Sequence, residues 1–427
     1  MSLSKQYRLK HLFSKRIGGA WGTEPDENAV VCLRAADILT DQFSHKVYDL
    51  TYRTFSDQEL ISRKLEFGDL IIEKSGGGEN QPVGRIAKFI LEENALCSNF
   101  LDLLRPNNDI VTTNYISYIL YNLWKNRTVV KSIKQTTGIQ NLDLEDYFDN
   151  KVKIPTILQQ NKIVDYLDNE VAKIDALIEK KTQLISILEE KKKAVINQAM
   201  TKGLDPNVSM KDSAIEWLGE IPEHWGLERL KFLTDKVGSG VTPKGGAEVY
   251  TDAGVLFLRS QNIYNDGLRL EDPTYISEEI HDDMKSSQVQ KGDLLLNITG
   301  GSIGRCYYFD IDIQANINQH VCIVRASNKI FYKYLHFVLI SFIGQFQIDL
   351  LQYGGGREAV SFENIKNFWV PFPPFDMQKE IVAFIEKEFY KLNSIINKVT
   401  EAKNLLQEKR TAIISAAVNG ELNASLS

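Results

Sequence analysis

Two long stretches of this chain carry the same apolar stripe, and that stripe limits the possible folds more than any other feature. Val164, Leu167, Val171, Ile174, Ile178, Ile185, Leu188, Val195 and Ala199 keep an alternating spacing of three and four. Val382, Ile385, Phe389, Leu392, Ile396, Val399, Leu406, Ile413 and Ala417 continue it in the same phase, 218 residues later. A seam of this period is the pattern of a coiled coil. Residues from about 157 to 201, as one helix, make a rod of roughly 65 Å at 1.5 Å per residue. A helix that long must bury its stripe. The nearest partner is its own repeat, in an intramolecular antiparallel pair; the alternative is that each stripe packs on its own globular body. Lys181, Lys192, Lys403 and Arg410 interrupt the seam. A buried charge is costly, so each is expected to run outward or to meet a partner. Pro155 precedes the first helix and Pro371, Pro373 and Pro374 the second. Gly203 and Gly420 follow their ends, where a positive φ is useful.

The repeat is not confined to the helices. Tyr7-Arg8-Leu9-Lys10 matches Glu228-Arg229-Leu230-Lys231. Leu33-Arg34 with Asp37-Ile38 matches Leu258-Arg259 with Asn262-Ile263, and GDLIIEKSGG from Gly68 matches GDLLLNITGG from Gly292. Gly84-Arg85 matches Gly304-Arg305, Gly138 matches Gly356, and Val152 and Pro155 match Val370 and Pro373. The offset drifts between 218 and 225, as insertions in surface loops produce. VVCLRAADIL, GDLIIEKS, VLFLRSQNI and GDLLLNIT are short aliphatic runs closed by glycine or polar turns, which predicts strands. YISYILYNLW (115–124) and FYKYLHFVLISFIGQF (331–346) predict amphipathic helices. The segment 203–225 reads as a linker that docks through Trp217, Leu218 and Trp225. The expected class is therefore α/β (α+β), a pseudo-two-fold internal repeat of mixed domain and long helix.

A chain of 427 residues exceeds one ordinary core, and 43% hydrophobic with 25% charged residues argues against disorder. It has no run of about 18 apolar residues, so no membrane span is expected. MSLSKQYRLKHLF lacks the apolar core and cleavage site of a signal peptide. Cys32, Cys97, Cys306 and Cys322 are scattered and read as free thiols of a reducing cytoplasm. The net charge of −6 argues against a protein that grips nucleic acid alone by bulk electrostatics. It leaves room for one that reads DNA through a few local arginines while partners supply the field.

A reactive constellation is missing. SGGGENQPVGR and TGGSIGR lack the GxxxxGK[ST] spacing of a phosphate loop. VGSGVTPKGG (237–246) is a weak cofactor signal, and FPPF (372–375) lacks the carboxamide or carboxylate of an amino-methylating loop. The six histidines do not cluster; His320, in QHVCIV, reads as a satisfied core residue. Asp69 and Asp293, each at a strand start, read as turn residues. Binding is favoured over catalysis. Arginine can read guanine with two hydrogen bonds and Asn or Gln can read adenine, while glycine-turn amides meet phosphates. The recurring Arg34, Arg259, Arg85 and Arg305 lean toward internal salt bridges, with Arg85 and Arg305 retained as DNA-binding candidates. Residues that differ between the copies are better readers of different sequences. They are Glu73-Lys74-Ser75 against Asn297-Ile298-Thr299, and Gln135-Thr136-Thr137 against Tyr353-Gly354-Gly355. The DNA-binding candidates are thus Lys74, Ser75, Arg85, Gln135, Thr136, Thr137, Asn297, Thr299, Ser302, Arg305, Tyr353 and Arg357, with no catalytic, cofactor or metal residue.

The order domain, helix, domain, helix, together with the GDL repeats, GSGVTPKGG, EWLGEIPEHW and Q-x-x-I-V at each helix start, resembles the specificity subunits of type I restriction–modification systems. The resemblance covers essentially the whole chain. EWLGEIPEHW and VPFPPFDMQKEIVAFI are its most specific strings; the first copy lacks the EWLGEIPEHW preface. It implies target-recognition domains at 1–155 and 227–375, spacer helices at 156–203 and 376–420, and a linker at 204–226. Each recognition domain would read half of a split, asymmetric site on double-stranded DNA. The antiparallel helices would act as spacer and as platform for two methyltransferase subunits, with restriction subunits joining. It further implies no catalysis and no cofactor of its own, S-adenosylmethionine and ATP being held by partners, and a cytoplasmic defence against foreign DNA. A stand-alone DNA-binding coiled-coil adaptor is the alternative reading.

Overall fold

The computed structural model describes residues 4–136, 138–352 and 359–421. The chain forms two compact units, Met1–Thr182 with Glu401–Ser427, and Gln183–Thr400. The two long helices run Ile157–Lys202 and Phe375–Val418. Each unit therefore holds part of both helices around one mixed α/β body.

In the first unit a four-stranded antiparallel sheet has the order Phe13–Gly18, Leu101–Pro106, Leu70–Glu73, Ile86–Lys88. A second sheet pairs Val30–Leu33 in parallel with Ala95–Cys97 and antiparallel with Tyr52–Arg53. The second unit repeats both. Thr234–Ser239, Val321–Ala326, Leu294–Asn297 and Cys306–Tyr308 form the four-stranded sheet, and Val255–Leu258 pairs in parallel with Ala315–Ile317 and antiparallel with Tyr275–Ile276. The matched ends pair too: Tyr7 lies opposite Val152, and Glu228 opposite Val370.

The repeated GDL strand is central in both. Leu70 and Ile72 face a core shared with the helix Thr113–Lys125 and the long helices, while Ile71 faces the other core. Leu294 and Leu296 against Leu295 do the same in the second unit. A strand buried on both faces reads as a continuous aliphatic run, which is why the motif recurs. Its aspartate closes the preceding turn: the Glu66 N–H donates to Asp69 and the Gln290 N–H to Asp293, both at 2.7 Å. Arg105 forks onto Asp69 with two bonds of 2.8 Å, and Arg325 onto Asp293 at 2.7 and 2.8 Å. The GDL motif is thus a strand start clamped by an arginine. One glycine position is forced by packing. A Cβ on Gly19 would lie 2.1 Å from the Ser98 carbonyl oxygen, and one on Gly240 2.2 Å from that of Ile317.

The glutamine at each helix entry pins helix to body. Gln160, fully buried, accepts from the Thr112 N–H at 2.8 Å and donates to the carbonyls of Ile110 and Pro155. Gln378 accepts from the Phe331 N–H at 2.8 Å and donates to Pro373. In the first unit the start of the first long helix lies against the end of the second, the antiparallel arrangement: Ile163, Val164, Leu167 and Val171 share a core with Ile414, Ala417 and Val418. In the second unit Ile196, Ala199 and Met200 share one with Ile381, Val382 and Ile385. The seams therefore pack both on each other and on the bodies.

The charged interruptions part ways. Lys192 sits over the Phe389 ring, 5.3 Å from its centroid, and pairs with Glu189 at 3.1 Å. Arg410 is buried. It donates to Asp175 at 2.8 and 3.3 Å, to the Tyr121 hydroxyl at 2.6 Å and to the Asp41 carbonyl. Burial alone would lower the pKa of this guanidinium; Tyr121, Asp175 and Asp41 outweigh it and raise it.

The helix expected over 331–346 is two helices, Tyr332–Ile340 and Phe342–Gln352, bent by 52°. Extended backbone at Ser341 makes the break, the Asn197 carboxamide accepts from the Phe342 N–H at 2.8 Å, and Gln345 donates to the freed Leu339 carbonyl at 2.8 Å. Trp217, Leu218 and Trp225 pack into the second unit, on a short ribbon of Met210–Asp212 with Glu220–Pro222. Among the described residues no single helix is long and apolar enough to cross a membrane. All four cysteines are free and buried; burial pushes Cys97 and Cys322 up to about 12 and Cys32 to about 11.

Candidate nucleic-acid interface

The glycine turn after each GDL strand leads to the surface positions where the copies differ. In the first unit Ser75–Gly76 forms the edge of a three-stranded sheet with Ile139–Leu142 and Ile133–Thr136. Register puts Ser75 opposite Asn141 and Asn141 opposite Lys134. Because strand side chains alternate, these three share a face. Ile139 and Asn141 are exposed while Gln140 and Leu142 are buried. The Ser75 hydroxyl donates to Asn141 Oδ1 at 2.7 Å, and Lys134 pairs with Asp143 at 2.6 Å. Gln140 is spent inward, accepting from the Val83 N–H at 3.3 Å.

The second unit keeps the backbone of this frame. The Leu142 N–H donates to the Lys74 carbonyl at 2.8 Å and the Lys74 N–H to Phe100 at 2.9 Å. Likewise the Val360 N–H donates to Ile298 at 2.9 Å and the Ile298 N–H to His320 at 3.0 Å. Thr299 bridges to Ala359 as Ser75 does to Asn141. On that common frame the first unit shows Ser75, Asn141 and Phe100, and the second Thr299, Ala359 and His320. Thr299 Oγ1 lies 2.6 Å from His320 Nδ1, and the exposed Gln319 carboxamide lies 3.0 Å from Nε2. His320 is half-exposed, not a core residue as its strand-like surroundings suggest.

Two candidates are corrected. Arg85 is locked onto buried Glu73 with bonds of 2.7 and 2.8 Å and donates to the Ala35 carbonyl at 3.1 Å, so its guanidinium is not available to a base. Asn297 is buried and donates to the Ser260 carbonyl at 2.8 Å and to Ser302 Oγ at 3.1 Å. Ile298 is buried as well. Of the triplets Glu73-Lys74-Ser75 and Asn297-Ile298-Thr299, the surface is reached by Lys74, Ser75 and Thr299. Lys74 pairs with Asp102 at 2.7 Å. Gln135 is exposed on its strand. Thr137, Tyr353, Arg357, Gly354 to Gly356 and the Thr136 side chain lie outside the described residues.

The four recurring arginines split by copy. Arg34 meets Asp37 at 3.3 Å and Arg85 meets Glu73. At the matched places the second unit has Asn262 and Asn297, neutral amides, so Arg259 and Arg305 have no carboxylate there. Arg259 lies over Tyr250 and Arg305 over Tyr264, at 5.9 and 4.6 Å from the ring centroids. Arg305 also lines, with Lys192 and Lys193, an open cavity of about 650 Å³. Among the described residues the second unit thus keeps a guanidinium with no carboxylate partner where the first has a neutralised one. Asn141, Gln319 and His320 were not among the sequence candidates. The Gly138 turn between two alternating strands was the signal that brings Asn141 to the surface.

The family described as type I restriction modification DNA specificity domain matches residues 58–186 and 222–404, most of the first body, the second body and most of both helices. The chain belongs to that family. The type I restriction enzyme MjaVIII specificity subunit of Methanocaldococcus jannaschii is 24% identical over 340 residues, 78% of this chain and 76% of that protein. The type I restriction enzyme EcoKI specificity subunit of Escherichia coli strain K12 is 22% identical over 397 residues, 91% of this chain and 82% of that one. A solved chain from a study of complex assembly and conformational transition of the type I R-M system superposes with a TM-score of 0.71, covering 98% of both chains at 14% identity. That likeness is one of fold.

Proposed function

We propose that the chain is the DNA-reading subunit of a type I restriction–modification complex. Each unit reads one half of a bipartite, asymmetric site on double-stranded DNA. The chain carries out no chemistry itself; two methyltransferase subunits, joined by restriction subunits, dock on the long helices and bring S-adenosylmethionine and ATP. The complex works in the cytoplasm, with the foreign duplex as its target. The observation that carries this reading is the frame itself: one backbone arrangement occurs twice and presents different polar side chains each time. Two unlike readers on one chain suit a site with two unlike halves. Family membership supports the same assignment.

Partner docking draws support from the helices. Leu177 and Leu405 in the first unit, and Leu184, Ile187, Tyr390 and Ile395 in the second, are exposed large apolar side chains on helical surfaces. Such positions suit helices of another subunit. The net charge of −6 suits a chain whose partners help to hold the phosphate backbone. The test is co-expression with the methyltransferase subunit, followed by sequencing of methylated positions. A two-part asymmetric motif supports the proposal. Methyl transfer by the isolated chain, or a purified complex without methyltransferase subunits, refutes it.

A further inference from the structure

We infer that Asn141 is a specificity-determining residue of the first unit, reading the edge of one base in one half-site, with Ser75 as its positioning residue. The inference rests on the proposed function and names the reader within it.

Four observations converge on this side chain. It is exposed on the outer face of the hairpin of Ile133–Thr136 and Ile139–Leu142, and a two-stranded β-ribbon fits the major groove. Its carboxamide is already oriented, since the Ser75 hydroxyl donates to Oδ1 at 2.7 Å. That bond occupies one lone pair and leaves the second; among the described residues no protein group accepts from Nδ2. An acceptor and a donor side by side are what adenine N6 and N7 require. Its neighbours are otherwise engaged: Gln140 points into the body and Lys74 is paired with Asp102. The fourth observation is the internal comparison. The structural residues of the frame recur in both copies, as in the Asp69–Arg105 and Asp293–Arg325 clamps and the Gly19 and Gly240 close approaches. At Asn141 the second copy has Ala359, which offers only a methyl group. There the frame brings out His320 beside Gln319 instead. At this exposed position the two copies diverge, and a pair of readers with an amide on one side and an imidazole on the other suits a site with two unlike halves.

The opposing residue Lys134, ion-paired with Asp143 at 2.6 Å and largely exposed, is placed to trade that carboxylate for a backbone phosphate. It carries no sequence information.

The experiment is methylated-site sequencing with the full complex, comparing the native chain with N141A, S75A, S75T and H320A. A lost bidentate pair relaxes discrimination by roughly 5- to 150-fold, the equivalent of about 1–3 kcal/mol. N141A is expected to make one position of one half-site degenerate and to leave the other half-site intact. S75A relaxes the same position less, and S75T, which keeps the hydroxyl, restores it. H320A alters the other half-site only. A native motif retained in full by N141A overturns the inference, as does relaxation of both halves together. If the native complex marks no two-part site at all, the proposed function fails and takes this inference with it. A native two-part motif that N141A leaves unchanged sinks the inference alone.

Discussion

Replacing Arg410 with methionine is the sharpest test of how the first unit holds the long helices. The residue is 3% exposed, and its guanidinium joins Asp175 of one long helix to Tyr121 and Asp41 of the α/β body. Charge-assisted bonds contribute about 1.5–3 kcal/mol each, but they do not add within one network. The groups left behind are partly provided for. The Asp175 side chain is 44% exposed and rehydrates. Asp41 keeps Lys125 at 3.0 Å and the Tyr121 hydroxyl at 2.9 Å. Methionine fills most of the aliphatic volume. The loss therefore falls at the low end of the about 3–5 kcal/mol range for breaking a buried pair, near 3 kcal/mol, or more than a hundredfold in the opening equilibrium. Hydrogen exchange reads this locally. Amides of Thr113–Lys125 and of the last turns of the second long helix should exchange faster by about that factor, while amides of Leu294–Asn297 keep their native rates. A double-mutant cycle with Asp175→Asn should return a coupling of about 1–3 kcal/mol. Native exchange rates in R410M, or strictly additive effects with D175N, refute the claim that this network fastens the body to the helices.

Four further outcomes are expected. Arg85→Met strands the buried Glu73 carboxylate and destabilises by about 3–5 kcal/mol, whereas Arg305→Met costs under about 1 kcal/mol in stability and lowers the salt slope of DNA binding by about one; denaturation and binding titrations of the complex separate the two. Gly240→Ala drives a Cβ onto the Ile317 and Asn318 carbonyls and should cost about 1–3 kcal/mol through strained overpacking, read as a lowered melting point. Exchanging residues 228–370 for another reader of the same frame should change one half-site in the methylated motif, and a change in both contradicts modular reading. Acid acts through Asp41. Burial pushes its carboxyl up, but bonds from Lys125 and Tyr121 and the Arg410 charge outweigh this and hold it below the usual range. Its contribution to stability is complete above the unfolded value of about 3.9 and is lost as pH falls through the lower folded value. A D41N variant should therefore lose less stability than the native chain between pH 5 and acid extremes of about pH 2.

The duplication, the two seams and their shared phase, the strands after each GDL and the helix entries were all legible in the amino-acid order. Each rests on periodicity or on local backbone chemistry, and these act over a few residues. Partner choice was another matter. Arg85 and Arg305 occupy matched places in matched motifs, yet one is neutralised and the other lies over Tyr264, because Glu73 has Asn297 as its counterpart on the neighbouring strand. Asn297 looked like a surface reader, and sheet pairing on both edges of its strand buried it. Asn141 drew no notice in sequence, and only the register of three strands, distant in order, set it beside Ser75. The break at Ser341 likewise needed Asn197 and Gln345 to accept it. Local pattern decides which elements form, since hydrogen bonding along the chain and burial of one stripe are local demands. Which charged or polar group is spent inside and which is left to face a ligand depends on what long-range packing brings within three ångströms, and that distance is a property of the folded chain alone.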